Sequence, residues 1–565
     1  MGTHKQNCRI IADVLHSHGV RHIVCSPGSR NAPMLLAVDS LPKVETHIVI
    51  DERSAAFVAL GLAQISREPV ALVCTSGTAL LNYAPAVAEA YYQGLPLIVV
   101  SADRPERWID QDDSQTLRQP GALSNFVKKS YDIHDFAADN ADMCRYANRE
   151  VNDAMITALR RRRGPVHINV RLDEPLTSGR QIPFSQQRKI SCVETEDILA
   201  KDTVYDLAQQ AAGKRVLVVA GFMLPDDHLN KAMLRLVSLP NVYVMHETVS
   251  NLHLPRQHSA VDVILSHLTP QQREDLRPDI IITLGGALVS RAVKEFLRSS
   301  AGVEHWTVGH SHTTVDCFNS LMLRIEADPA MFLSAFAKLL AKNNSDNGYA
   351  AAWSSCKKDA IASHNRFVGS ADWSDLRACQ MIFDSMHDDF NVQLSNGASV
   401  RYAQLCMSSM PHGCYCNRGV SGIDGCLSTA IGAAMAYPET TVLVTGDMSM
   451  AYDIGALSIA EIPERLKIIV LNNQGGGIFR FIPSTRSLPE RERYFCAPPR
   501  LPLNMLAPAY GIEYFAAFSA NQLQQTLPMF LAPRLAPAIL EVITPGERSA
   551  QILIDYMNRN KQQTY

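Results

Sequence analysis

The sequence predicts an α/β protein made of three doubly wound parallel-sheet domains, and three observations predict it. Short β-branched runs alternate with helical stretches almost throughout the chain, the rhythm of a parallel sheet with helices on both faces. Two segments, TVLVTGDMS and LKIIVLNNQGG, each read as a strand ending in a turn, and the interval between them holds one helix and two turns. That is the length of a right-handed βαβ crossover. Finally, a chain of 565 residues exceeds what one hydrophobic core supports and should divide into about three or four domains.

Taken in order, the strands HIVCS, THIVI, VALVC, LPLIVVS and VHINV fall in the first ~180 residues, with ADVLHSHG, SAAFVALGLAQIS and the stretch from Thr78 to Tyr92 as helices between them. This is a first domain over 1–180. A polar segment from about Thr177 to Thr195 reads as a linker. A second domain over 196–345 carries strands near RVLVVAG, VYVMH, DIIITLGG and HWTVG and closes near AKNNSDNG. A third, over 371–565, starts near Trp373, holds the two strand-and-turn segments and ends on AILEVIT. No short-period repeat is visible, although the first and third domains read as distant structural copies.

Composition is that of an ordinary soluble globular protein, with 47% apolar and 19% charged residues. A net charge of −3 offers no bulk field for nucleic acid or an anionic membrane, so anion binding must come from local arginines. The amino terminus is polar and amphipathic, and Gln6 stands where a myristoylation signal needs Ser or Thr. No run approaches the ~18 apolar residues of a membrane span. Thirteen cysteines are scattered, and Cys414 and Cys416 share one face of a strand without spaced Cys/His partners. They read as buried reduced thiols in a cytoplasmic protein.

Chemistry concentrates at strand ends. Asp447 and Asn473 emerge at the carboxyl ends of neighbouring strands, where open α/β sheets place their ligands. A carboxylate, an amide oxygen and a nearby main-chain carbonyl are hard ligands that suit Mg2+ or Ca2+ with positions left for phosphate oxygens. Ser449, near a helix start, adds a hydroxyl and local N–H groups for a diphosphate. In THIVIDERSAAFVALGLA, Glu52 follows a strand and precedes a helix; an acidic residue at a helix amino terminus is also what plain capping produces.

The two features together resemble the thiamine-diphosphate enzymes of the decarboxylase/synthase type, with a pyrimidine-binding, a central and a diphosphate-binding domain in that order. The resemblance implies that Glu52 contacts N1′ of the cofactor's aminopyrimidine and promotes the imino tautomer that generates the nucleophilic ylide. Such a role needs a carboxyl group sharing a proton with a ring nitrogen. A narrower resemblance rests on CSPGSRNAP, VCTSGTALLN, SADRPERWID, SQTLRQPG, SNGASVR and CNRGVSGIDGCLSTA. These are similar to the 2-succinyl-5-enolpyruvyl-6-hydroxy-3-cyclohexene-1-carboxylate synthases of menaquinone biosynthesis. The matches span both outer domains, while the central one matches by architecture.

That family implies decarboxylation of 2-oxoglutarate and 1,4-addition of the resulting succinyl carbanion to isochorismate, with thiamine diphosphate as electron sink and Mg2+ or Mn2+ as metal. The two substrates present four carboxylates, which planar guanidinium groups bind in a bidentate fork. The resemblance places Ser29, Arg30, Arg104, Gln115, Arg401 and Arg418 at the substrates, with Phe479 as an aromatic wall. It places Ser76, Gly77, Ile423, Met448, Ser449 and Ile478 around the cofactor, Ile423 wedged between its rings, and Asp447, Asn473 and the Gly475 carbonyl on the metal. Two departures stand out. Gly397 occupies a segment where the family often has Ser, leaving Ser399 as the nearby hydroxyl. Where the family's central domain often offers a Lys-Arg pair to substrate, this chain has Arg291 followed by Ala292, so Arg291 is placed at the substrate, with Lys294 as its substitute. The family also implies a homodimer or dimer of dimers with active sites at the subunit interface.

Other readings are another thiamine-diphosphate decarboxylase or carboligase, and a non-catalytic subunit of that fold. The first would not need arginines from both outer domains, and the second would not need both Glu52 and Asp447. A flavin or nicotinamide enzyme lacks an evident GxGxxG in the central domain.

Overall fold

The computed structural model describes residues 3–177, 187–254, 260–300, 302–311, 313–343, 345–409 and 411–559. Three parallel sheets carry the chain. The first holds β1 (His22–Cys25), β2 (Glu45–Ile48), β3 (Val70–Cys74), β4 (Leu97–Asp103), β5 (Ser130–Ile133) and β6 (Val166–Arg171), in the order β2-β1-β3-β4-β6-β5. The second holds β7 (Val216–Ala220), β8 (Val242–His246), β9 (Ile280–Leu284), β10 (Glu304–Val308) and β11 (Leu321–Ile325), in the order β11-β10-β9-β7-β8. The third holds β12 (Asn391–Leu394), β13 (Gly413–Cys416), β14 (Thr441–Gly446), β15 (Leu466–Asn472), β16 (Glu513–Ala517) and β17 (Ala538–Ile543), in the order β13-β12-β14-β15-β17-β16.

Numbered from its own first strand, the third sheet repeats the order of the first. In both, the chain leaves its first strand toward one edge, then returns past it to the third. The switch point therefore lies between β1 and β3, and between β12 and β14. Ligands of open α/β sheets bind outside the carboxyl ends of strands at such points.

The central strands are buried along their whole length, as in VALVC (β3) and VLVVA (β7). Helices cover both faces. The expected helix over Thr78–Tyr92 is two, Thr78–Asn82 and Ala84–Gln93, because Pro85 lacks the N–H that would continue the first. The helix after Asp51 begins at Glu52, two residues before the expected Ser54.

The sheets lie within 1–180, 196–345 and 371–565, but compactness divides the chain in two. One unit comprises Met1–Glu194, Gly419–Thr441 and Tyr452–Leu466; the other comprises Thr195–Arg418, Val442–Ala451 and Lys467–Tyr565. In the first unit, helix Cys426–Ala436 lies directly on helix Glu52–Ser66. A Cβ on Gly61 would overlap the Thr429 carbonyl, and one on Gly432 the Val58 carbonyl. Glycine at both crossings lets the backbones touch. In the second unit one core runs from Leu217 to Tyr556 and serves both sheets. Helix Tyr349–Ser370, between the expected domains, ties it together. Its Trp353 stacks on Tyr243 at 4.9 Å, and its His364 bonds the Tyr556 hydroxyl at 2.8 Å.

Part of the expected linker, 178–186, lies outside the described residues, and 187–200 form neither helix nor strand. All thirteen cysteines are free, Cys414 and Cys416 buried among them. No helix among the described residues is long and apolar enough to cross a membrane.

Candidate active site

In the first unit, the candidate residues gather past the carboxyl ends of β1 to β4. Asp51 caps helix Glu52–Ser66, accepting from the Arg53 N–H at 3.0 Å and the Ser54 hydroxyl at 3.1 Å. Capping is thus done by Asp51, and Glu52 is left half-buried. Among the described residues no hydrogen bond or ion pair engages its carboxylate. Its charge bears on Cys74 at the end of β3, whose thiol is pushed up first by burial and then by Glu52.

Ser76, Gly77 and Gln115 interlock. Ser76 Oγ donates to the Gln115 carbonyl at 3.0 Å, and Gln115 Nε2 donates back to the Ser76 carbonyl at 3.1 Å. The Gly77 N–H donates to Gln119 Oε1 at 2.8 Å, with Gly77 at φ 84° in the left-handed region glycine tolerates. Arg30 is buried beside Ser29, donates to the Leu172 carbonyl at 3.1 Å and pairs with Glu174 at 3.2 Å. Burial, then the charge of Arg104, lowers its pKa, so the two guanidinium groups sit close. Arg104 pairs with Asp113 at 3.2 Å, yet its buried Nε has no partner among the described residues.

The 419–425 loop, which carries Ile423, is held by a residue the sequence did not single out. Glu89 is buried and accepts from the N–H groups of Gly419 at 2.6 Å and Val420 at 2.7 Å. Burial raises its pKa, and the Gln93 and backbone donors pull the other way. Asp453 does similar work at the next helix, accepting from Ser428 N at 2.7 Å and Ser428 Oγ at 3.0 Å; burial pushes it up to about 6.

In the second unit, Asp447 opens helix Asp447–Tyr452 directly after β14. Its carboxylate accepts from Met448 N at 2.8 Å and Gly475 N at 2.6 Å, while burial pushes its pKa to about 6. Asn473 donates through Nδ2 to Asp375 at 2.7 Å, which turns its Oδ1 the other way. That oxygen is buried and has no partner among the described residues. Gly475 sits at φ 118°, where a Cβ would overlap the Cys496 carbonyl. Arg480, also unforeseen, pins the turn by donating to the carbonyls of Asn473 at 2.8 Å and Gln474 at 2.9 Å. Ser449 is buried near this turn; Met448 lies against Gly476, and Phe479 packs on Phe495 at 5.7 Å, one residue after Ile478. The charged carboxylate, orphaned amide oxygen and Gly-only turn fit a metal-bound diphosphate.

Arg401 and Arg418 lie together past β12 and β13. Arg418 is buried, donates to Asn396 Oδ1 at 3.0 Å and Leu288 O at 3.4 Å, and leaves Nε without a partner among the described residues. Arg401 donates to the Gly397 carbonyl; burial, then Arg418, lowers its pKa. Two carboxylates, buried Glu247 and half-buried Asp262, face this positive cluster. Glu247, pushed up to about 7 by burial, accepts from Val289 N and Ser290 N, and Asp262 accepts from the Ser290 hydroxyl. Arg291 is not brought here: it is 77% exposed and pairs with Glu295 at 2.6 Å. Lys294 is, its pKa lowered by burial and then by Arg418. Gly397 has φ 88°, a conformation that disfavours a serine there, and Ser399 Oγ accepts from Ser395 at 3.1 Å.

Residues 8–122 match the family described as thiamine pyrophosphate enzyme, N-terminal TPP binding domain, and residues 396–542 match the corresponding C-terminal TPP binding domain. The chain is therefore a thiamine-diphosphate enzyme. Its similarity extends to full-length relatives named 2-succinyl-5-enolpyruvyl-6-hydroxy-3-cyclohexene-1-carboxylate synthase. Those of Porphyromonas gingivalis (39% identical over 99% of this chain and 98% of the relative), Flavobacterium johnsoniae (35%, over 97% of each) and Bacteroides fragilis (34%, over 99% and 100%) are examples. The chain belongs to this synthase family.

Proposed function

We propose that this chain joins 2-oxoglutarate to isochorismate with loss of carbon dioxide, giving 2-succinyl-5-enolpyruvyl-6-hydroxy-3-cyclohexene-1-carboxylate in menaquinone biosynthesis. The supporting observation is two pairs of arginines, in each pair one buried and one half-buried: Arg30 beside Arg104 in one unit, Arg418 beside Arg401 in the other, with Nε of Arg104 and of Arg418 unpartnered among the described residues. Buried guanidinium groups need anionic partners, and two dicarboxylates bring four.

Thiamine diphosphate, when bound, supplies the electron sink for decarboxylation and carbon–carbon bond formation. Asp447, Asn473 and the Gly475 carbonyl would hold Mg2+ or Mn2+, with Met448, Ser449 and Ile478 lining the diphosphate. Ile423 and the Ser76–Gly77 turn would shape the cofactor's seat. Glu52, engaged by no protein donor among the described residues, would share a proton with the cofactor's ring nitrogen. Gln115, with the arginines and Ser29, orients substrate carboxylates, and Lys294 takes the basic role expected of Arg291. Phe479 walls the substrate space. The smallest active unit is a homodimer, and the protein works in the cytoplasm.

The test is an assay of purified protein with Mg2+, thiamine diphosphate, 2-oxoglutarate and isochorismate. Consumption of isochorismate with matching carbon dioxide release is expected. Carbon dioxide release that leaves isochorismate untouched would reduce the protein to a plain decarboxylase. Asp447→Ala should abolish metal-dependent cofactor binding; titration of the cofactor with and without Mg2+ reads this directly.

A further inference from the structure

We propose that His22, Glu45 and His47 form a binding site for a divalent transition-metal ion, Zn2+ in class, on the outer edge of the first sheet. β2 is the edge strand and runs parallel to β1, with His22 opposite Glu45 and Val24 opposite His47. Alternation along a strand puts Glu45 and His47 on one face of β2, and His22 joins them. His22 Nδ1 lies 3.3 Å from His47 Nε2 and 3.6 Å from Glu45 Oε2, and the three ligand atoms are all within 4.8 Å of one another. Metal–ligand bonds of about 2.0–2.1 Å at a tetrahedral angle set neighbouring ligand atoms about 3.3–3.4 Å apart. The histidine pair already has that spacing.

The plainer account is a hydrogen bond between the rings with an ion pair to Glu45. Whichever ring carries the proton between them, His22 Nδ1 makes at most one hydrogen bond, so that account serves either His47 Nε2 or Glu45 Oε2 and not both. A cation in the proton's place meets all three lone pairs. Two imidazoles and one carboxylate are a donor set for Zn2+ and its neighbours; Mg2+ and Ca2+ prefer oxygen. The negative charge of Glu461 also reaches His47, adding to that of Glu45. Glu45 is 71% exposed, which leaves the remaining coordination positions open to water.

The site lies at the amino ends of β1 and β2, where His22 and Glu45 open their strands. Glu52 and Arg30 lie past the carboxyl ends of the same strands. The ion would therefore clip a four-residue edge strand to its neighbour, upstream of Glu52, and stand outside the reaction.

The test uses the full-length, untagged protein stripped with chelator and assayed in excess Mg2+. One equivalent of Zn2+ per chain should bind and raise the thermal midpoint. Co2+ should give the ligand-field bands of a low-coordinate nitrogen–oxygen site without thiolate charge transfer, which separates it from the exposed Cys192 and Cys317. His22→Asn and Glu45→Gln should each weaken binding at least tenfold. The conservative change at exposed Glu45 guards against loss of fold. No saturable Zn2+ binding, thiolate bands with Co2+, or unchanged affinity in both variants would overturn the proposal.

Discussion

At Glu52 the fold separates two duties that the run Asp51-Glu52-Arg53 offers to one helix start. Asp51 satisfies the Arg53 N–H and the Ser54 hydroxyl, so the neighbouring Glu52 carboxylate is not needed as the cap. Glu52→Gln should consequently leave folding and cofactor affinity nearly intact while lowering turnover by about 10²–10⁴-fold, the range of general acid–base groups. Thermal melts and cofactor titration beside the kinetic assay check this; retained turnover would remove Glu52 from the reaction. Glu89 is the opposite case, a carboxylate wholly engaged in structure. Glutamine offers only one acceptor oxygen to the Gly419 and Val420 N–H groups and turns an amide N–H₂ on the other. Glu89→Gln should loosen the 419–425 loop by about 1–3 kcal/mol, read as a lower thermal midpoint with weaker cofactor binding. An unchanged cofactor affinity would show that the clamp does not serve Ile423. Asp447, Asn473 and Glu52 stood out as candidates because each follows a strand end. Glu89 and Asp375 were not, because their partners are set by tertiary folding across 330 and 98 residues.

Among elements, legibility followed apolar, β-branched composition. Runs such as VALVC, VLVVA and LKIIVLN are covered on both faces and announce themselves by composition. β5 (SYDI), β11 (LMLRI) and β16 (EYFAA) escaped notice, and each is an edge strand with half-wetted residues; β12 (NVQL), internal and buried, escaped as well, because Asn391 and Gln393 interrupt its apolar residues. Edges need no continuous apolar run, so their sequences resemble those of loops. The contact of helices Glu52–Ser66 and Cys426–Ala436 was equally hidden, since a helical glycine reads locally only as a weak helix former. Gly432→Ala drives a Cβ into the Val58 carbonyl and should cost about 1–3 kcal/mol as the helices part. Because Glu52 opens one of those helices, turnover should fall along with the thermal midpoint. Gly369→Ala, an exposed helical position with nothing near its Cβ, should instead raise the midpoint, by up to about 1 kcal/mol of stability. Equal effects of the two substitutions would show that helix propensity, and not the crossing, governs Gly432.

For the molecule as a whole, two sets of buried groups oppose each other as pH changes. Asp447 and Asp453 are pushed to about 6 and Glu247 to about 7, each by burial. A carboxyl with a raised folded pKa holds its proton better folded than unfolded, so its contribution is lost as pH climbs from about 4 to that folded value. Buried imidazoles act in reverse. His167 and His305 are lowered to about 4, and His18, His47 and His364 are also lowered, all by desolvation. The unfolded chain binds their protons more readily, so stability is gained as pH rises toward the ordinary imidazole value of about 6.5. A shift of about two units corresponds to about 3 kcal/mol, so between about pH 5 and 6.5 the two sets pull in opposite directions. Asp453→Asn removes one carboxyl from the balance, and its midpoint should rise with pH relative to wild type by the equivalent of about 1–2 kcal/mol. Loading wild type with Mg2+ and thiamine diphosphate should tilt the curve the same way, because a bound cation holds Asp447 ionised and removes the loss that its burial imposes. Melting curves of the three species in matched buffers decide the matter. Parallel curves for wild type and Asp453→Asn would mean that the hydrogen bonds from Ser428 fully offset the burial of that carboxylate, and the balance would rest on Glu247 and Asp447 alone.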